Sequence, residues 1–123
     1  QLDLGADFSL PGFVSNPFCY MRLAAVFVLS SEYEGMPNVL IQALACGAKV
    51  VSTDCESGPR EALCAGEYGA LVQVHDPVQM ASAIETTLHS AGNSAASEYA
   101  KSFYGLERAA KLYLALGLGD RNT

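Results

Sequence analysis

The placement of proline and glycine constrains this chain more than any other feature. Pro17, Pro37, Pro59 and Pro77 each stand where a helical pattern begins. Proline suits the first helical position because the amide it lacks has no partner there. Asn16 and Asp76 precede two of these prolines and are suited to cap the free amides that follow. Glycine marks the opposite ends. Gly47 follows Val39 to Cys46, Gly66 follows Arg60 to Ala65, and Gly117 follows Leu106 to Leu116.

Between these helices lie short β-branched or aromatic runs: Phe8 to Val14 (interrupted by Pro11 and Gly12), Ala25 to Ser30, Lys49 to Thr53 and Ala70 to Val74. Val26 to Leu29 and Val50-Val51 are continuously apolar, as strands covered on both faces must be. The alternation predicts an α/β fold: a Rossmann-like open parallel sheet of about four strands with flanking helices and right-handed crossovers. Val78 to Leu88 reads as an amphipathic helix with Met80, Ala81, Ile84 and Leu88 on one face. Ala95 to Phe103 and Leu106 to Leu116 complete a helical end.

Half of the 123 residues are hydrophobic, enough for a real core in one domain or part of one, which excludes a disordered chain. Thirteen acidic against seven scattered basic residues give a net charge of −6. Nucleic acid and anionic membrane surfaces are poor partners for such a chain, because both are held by clustered Lys and Arg. The longest apolar run, Leu23 to Leu29, is too short to span a bilayer. No signal-peptide pattern is present, and a start at Gln1 predicts a piece of a longer protein. Cys19, Cys46, Cys55 and Cys64 form no C-x-x-C pair and read as reduced, buried, cytosolic thiols; with His75 and His89 far apart, no metal site is expected.

In an open parallel sheet, ligands sit beyond the carboxyl ends of the strands. Three loops occupy that edge: Ser30 to Met36, Asp54 to Gly58, and His75-Asp76. The first turns at Gly35 and enters a helix at Pro37, whose free amides and dipole make an anion site suited to a diphosphate. A carboxylate there, Glu34, suits sugar hydroxyls beside the phosphate. Asn38 and Gln42 are four residues apart and form a polar stripe on an otherwise apolar helix. Arg60 is placed either to reach a phosphate or to pair with Glu61 or Glu56. Asp54 ends a strand as phosphoacceptor aspartates do, but the companion acids and lysine are not where that role needs them. His75 and His89 should face solvent. Tyr20, and the group Tyr99, Phe103, Tyr104 and Tyr113, read as packing residues.

The segment Glu34-Gly35-Met36-Pro37-Asn38-Val39-Leu40-Ile41-Gln42-Ala43-Leu44-Ala45-Cys46-Gly47 resembles the donor-site signature of retaining GT-B glycosyltransferases of the family-4 type (group 1). The match continues in order upstream through Phe8 to Gly12, Asn16-Pro17 and Ala24 to Ser31. It continues downstream through Val50 to Cys55, Gly58 to Glu61 and Tyr68 to Val72. The resemblance implies transfer of a sugar from a nucleotide-diphosphate donor to a glycan or lipid-linked acceptor, with retention and without a metal or other cofactor. It places Glu34 at the reacting end of the donor sugar. It gives the backbone of Gly35, Met36, Pro37, Asn38 and Val39 to the sugar and diphosphate, and Phe13 and Val14 to the base. The position of Gln42 carries, in most members, a glutamate for the ribose hydroxyls. Glutamine there replaces a charged hydrogen bond by a neutral one, a loss of roughly 1 kcal/mol.

The resemblance also implies that residues 1–123 are the later part of the C-terminal, donor-binding domain. The acceptor-binding half and the Arg and Lys that neutralise the diphosphate would then lie outside this chain. Ser52 to Cys55 with Gly58 to Glu61 is similar to bacterial enzymes of surface-glycan and lipid-linked oligosaccharide synthesis, many using UDP-sugars. Such enzymes work on the cytoplasmic side of a membrane, at its inner face. Two other readings fit the same residues: a non-catalytic α/β nucleotide-binding or interaction domain, and a GT-B nucleotide-sugar epimerase.

Overall fold

The computed structural model describes residues 7–103 and 105. The elements run α1 (Pro17–Leu23), β1 (Phe27–Leu29), α2 (Asn38–Ala45), β2 (Val50–Thr53), α3 (Pro59–Ala62), a 3-10 turn (Cys64–Gly66), β3 (Ala70–Val72), α4 (Pro77–His89) and α5 (Ser94–Phe103). The strands form one parallel sheet in the order β1-β2-β3. Val51 of β2 lies opposite Val28 of β1 and Ala70 of β3. All four residues of the central strand β2 are buried, including Ser52 and Thr53. The predicted α/β parallel architecture is the one the chain adopts.

Helix α2 is the inner helix. Leu40, Ile41, Ala43 and Leu44 are buried at helical spacing. Leu40 and Leu44 are fully enclosed, each a gain of roughly 1.5–3 kcal/mol over an exposed leucine. Helix α5 packs on α2 through the small residues Ala96 and Ala100, and Ser97 Oγ donates to the Ala45 carbonyl at 3.1 Å. Met21 of α1 joins the same core. Beyond β2 and β3, Lys49 Nζ donates to the Leu88 and Ser90 carbonyls at 2.9 and 3.1 Å, closing the carboxyl end of α4.

Proline begins α1, α3 and α4 as expected. Pro37 instead stands one residue before α2, at the cap position. Asp76 caps α4, accepting from the Gln79 amide at 2.8 Å. Asn16 makes no such bond; its Nδ2 donates to Cys19 Sγ at 3.2 Å. Glycine ends α2 at Gly47, where φ is +85°.

Several expectations are corrected. The Phe8 to Val14 run is not a strand, and the described residues contain three strands rather than four. Pro11 offers no amide to a ladder and Gly12 turns at φ +68°, so the run cannot stay extended and paired. Met80, Ala83, Ile84 and Thr87 form the half-buried stripe of α4, while Ala81 and Leu88 are exposed. The inward face is therefore rotated from the expected one. Cys55 alone of the four cysteines is buried; Cys46 is half-buried, and Cys19 and Cys64 are exposed. Tyr20 is exposed because Met21 is the α1 side chain that turns inward. Tyr99 packs as expected, stacked on Tyr68 with ring centroids 4.3 Å apart. The Phe103 side chain, Tyr104, Tyr113, the Leu106 to Leu116 helix and Gly117 lie outside the described residues.

Candidate functional site

All three strands point the same way, so the segments that follow them share one edge of the sheet. The loop after β1 carries Glu34, which is half-buried. Ser31 Oγ donates to Glu34 Oε1 at 2.6 Å. Thr53, the last residue of β2, donates through Oγ1 to the Ser31 carbonyl at 2.5 Å. Ser57 Oγ lies 3.1 Å from the Glu34 carbonyl and 2.8 Å from that of Glu56. The end of β2 and the loop after it are thus tied to the loop after β1 at Ser31 and at the Glu34 main chain.

Gly58 presses the two loops closer still. Its backbone stands at φ +94° and ψ −67°, a strained turn open in practice to glycine. A Cβ built there would meet the Gly35 carbonyl oxygen at 2.1 Å and Pro37 Cδ at 2.7 Å. Gly35 is a glycine for a different reason. Its φ is not left-handed, and a Cβ there would meet nothing within 4 Å. The protein's own packing does not require glycine at 35; the bare backbone leaves open space above the start of α2.

Helix α2 starts at that space without a side-chain cap, since Pro37 at the cap position has no oxygen to offer. The Asn38 and Leu40 amides already donate to the Met36 and Pro37 carbonyls at 2.8 and 2.9 Å, so what this end chiefly offers an external anion is the positive end of the helix dipole. Asn38 and Gln42 are exposed, on the face away from the buried Leu40, Ile41 and Leu44, as the polar stripe predicts. Met36 is exposed, Pro37 buried and Val39 half-buried. Glu34, Gly35, Met36, Pro37, Asn38 and Val39 thus gather at the start of α2, and Gln42 lies one turn further along the face that carries Asn38. Phe13 and Val14 are outside the hydrogen-bonded cluster around Glu34, on the irregular segment ahead of α1, where Phe13 is 97 % exposed.

A cleft of about 510 Å³ adjoins this edge, lined by Asp54 to Gly58, Arg60 and Glu61. In it, Arg60 grips Asp54 with both Nε and Nη2, rather than Glu61 or Glu56. A second cleft, of about 240 Å³, opens between the loops after β1 and β3 and includes Glu32, Thr53, His75 and Met80. His75 and His89 are exposed as expected, and His75 Nδ1 lies 3.5 Å from Glu32 Oε1. Sequence reasoning did not single out Ser31, Thr53 or Ser57 as site residues. Ser31, three residues before Glu34, was the one with a local signal, since short hydroxyl side chains bond groups two to four positions away. Among the described residues, no group of three or more His, Cys, Asp and Glu is arranged to hold a metal ion, and no helix is long and apolar enough to cross a membrane.

Residues 1–90 match the family described as "Glycosyl transferases group 1". Over 88 residues, 72 % of this chain and 24 % of the relative, the sequence is 41 % identical to an enzyme of Campylobacter jejuni. That relative is named N-acetylgalactosamine-N,N'-diacetylbacillosaminyl-diphospho-undecaprenol 4-alpha-N-acetylgalactosaminyltransferase. It is 45 % identical over 64 residues to an uncharacterized glycosyltransferase of Methanocaldococcus jannaschii, covering 52 % of this chain and 16 % of the relative. It is 39 % identical over 66 residues to a lipopolysaccharide core biosynthesis glycosyltransferase of Rhizobium meliloti, covering 54 % and 19 %. The chain thus spans about a quarter or less of the length of these relatives. The matched residues include the whole carboxyl edge of the sheet, and the chain belongs to the glycosyl transferases group 1 family.

Proposed function

We propose that residues 1–123 are the later part of the donor-binding domain of a retaining, family-4-type glycosyltransferase that takes a nucleotide-diphosphate sugar. The observation that carries this reading is the uncapped start of α2 beside Gly35, with the Glu34 carboxylate held next to it. In the reaction the bond between the anomeric carbon and the diphosphate oxygen breaks, and the electron pair leaves with the nucleoside diphosphate. Negative charge grows on that leaving group, and fixed amides facing it stabilise the change. An acceptor hydroxyl forms the new glycosidic bond and passes its proton to the departing diphosphate oxygen. Glu34 accepts hydrogen bonds from the donor sugar, while Asn38 and Gln42 serve the sugar and ribose hydroxyls.

A UDP-linked hexose or N-acetylhexosamine is the proposed donor, and a glycan or lipid-linked acceptor is proposed for the full-length protein, acting at the cytoplasmic face of a membrane. The names of the Campylobacter and Rhizobium relatives support that acceptor class. The acceptor itself would be bound by parts of the protein beyond this chain. An amide-resolved NMR titration with UDP, GDP and ADP tests the donor site. Shifts confined to Gly35 to Gln42 and produced by UDP are the expected result. Binding of UDP that leaves those amides unmoved would overturn the site.

A further inference from the structure

We infer that Ser31 is a positioning residue for Glu34, held in its turn by Thr53; the inference rests on the donor-site reading above. A carboxylate in a surface loop ordinarily samples several rotamers, and a group that must meet one sugar hydroxyl loses rate when it does. Here Oε1 of Glu34 is engaged by the Ser31 hydroxyl at 2.6 Å, which narrows the rotamers open to the carboxylate and leaves its other oxygen for a sugar hydroxyl. The Ser31 backbone is itself held by the Thr53 hydroxyl, which is buried at the end of the central strand. The relay therefore runs from the most enclosed part of the sheet to the carboxylate through two donated protons. It costs the site nothing in charge, because Ser31 and Thr53 are neutral. It also leaves the helix-start amides untouched, so the sugar end of the donor should depend on Ser31 and the diphosphate end should not.

The test uses the full-length protein that carries this chain, and donor hydrolysis as the readout. The probe is whichever UDP-, GDP- or ADP-linked hexose or N-acetylhexosamine the wild type cleaves, with the matching free nucleoside diphosphate. Ser31→Ala should lower kcat about tenfold, as expected for one hydrogen bond to a charged group. The Kd for the free nucleoside diphosphate should stay at the wild-type value. Ser31→Thr, which keeps the hydroxyl, should restore most of the rate. Wild-type kcat in Ser31→Ala, with Glu34→Gln reduced by orders of magnitude, overturns the positioning role and leaves the site reading intact. Loss of nucleoside-diphosphate affinity in parallel with kcat also overturns it, since a general collapse of the loop would do that. Undiminished turnover in Glu34→Gln, or a wild type that cleaves none of the donors, overturns the site reading itself.

Discussion

Gly58→Ala is the sharpest perturbation available, because the structure gives both parts of its cost. The first part is conformational: φ +94° with ψ −67° is a region that an L side chain occupies only under strain of roughly 1–3 kcal/mol. The second part is steric. The added carbon would stand 2.1 Å from the Gly35 oxygen and 2.7 Å from Pro37 Cδ, both of them rigid neighbours that cannot swing away as a flexible side chain would. Overpacking of this kind costs about another 1–3 kcal/mol. The expected total is about 2–6 kcal/mol, a large share of the ~5–15 kcal/mol that keeps a domain folded. Gly47→Ala is the matched control. Gly47 also has a left-handed φ, +85°, but a Cβ there meets nothing within 4 Å, so only the conformational part applies. Urea unfolding followed by circular dichroism reads the difference. With a slope on the order of 1.5 kcal/mol per molar urea, a loss of about 3 kcal/mol lowers the midpoint by about 2 M. Equal midpoints for the two variants would refute the claim that the loop after β2 bears directly on the loop after β1.

Gly35→Ala should behave in the opposite way: its midpoint in urea stays within about 0.5 kcal/mol of wild type, as surface changes do, while nucleotide-sugar affinity measured by calorimetry falls. Unchanged affinity would mean that no ligand approaches that backbone. Gln42→Glu should tighten nucleotide-sugar binding by a bit under tenfold, from roughly 1 kcal/mol gained when a neutral acceptor becomes charged; weaker binding would place Gln42 away from the ribose. Stability should fall at alkaline pH. Loss of hydration and then the Glu67 carboxylate raise the Cys64 thiol above its ordinary value, and a hydrogen bond with Glu67 leads the causes that raise Tyr68. Both groups hold their protons more tightly in the folded chain than in the unfolded one. Their contribution is complete at neutral pH and is lost as pH rises, that of Cys64 above the ordinary thiol range of about 8.5 and that of Tyr68 above the ordinary phenol value of about 10. The urea midpoint should therefore drop there, and Glu67→Gln should flatten the drop; a midpoint that climbs with pH would contradict the sign.

The features legible in the sequence were those carried by local patterns. Val26 to Leu29 and Val50-Val51 read as doubly covered strands; β2 is fully buried as expected, whereas β1 is covered on one face only, with Val28 exposed. Asp76 before Pro77 announced a capped helix, and the cap is made. The order Glu34, Gly35, Asn38, Gln42 placed the candidate cluster at one helix start, because strand, turn and helix were each readable. What was not legible depends on which loops meet. The Arg60 partner is Asp54 because the end of β2 and the start of α3 face each other across a tight turn. Nothing within six residues of Arg60 favours that acid over Glu56 or Glu61. The Thr53 hydroxyl reaching Ser31 and Gly58 pressing on Gly35 are contacts between separate crossovers, invisible to any periodicity. The α4 face was misplaced because Met80, Ile84, Ala81 and Leu88 fit one apolar arc on a helical wheel. The sheet below engages the neighbouring arc through Ala83 and Thr87.

The strand order bears on how the chain acquires its structure. Spatial order and chain order coincide, so each new strand is laid on the edge of the one made before it. Each ladder joins residues roughly twenty positions apart, which keeps loop-closure entropy low for a parallel sheet. Such a sheet can grow in the direction of synthesis, and a nascent chain needs no later segment to begin pairing β1 with β2. The central strand then keeps one edge open to water until β3 arrives. A pause in translation between β2 and β3 would leave the strand destined for the deepest burial with one open edge.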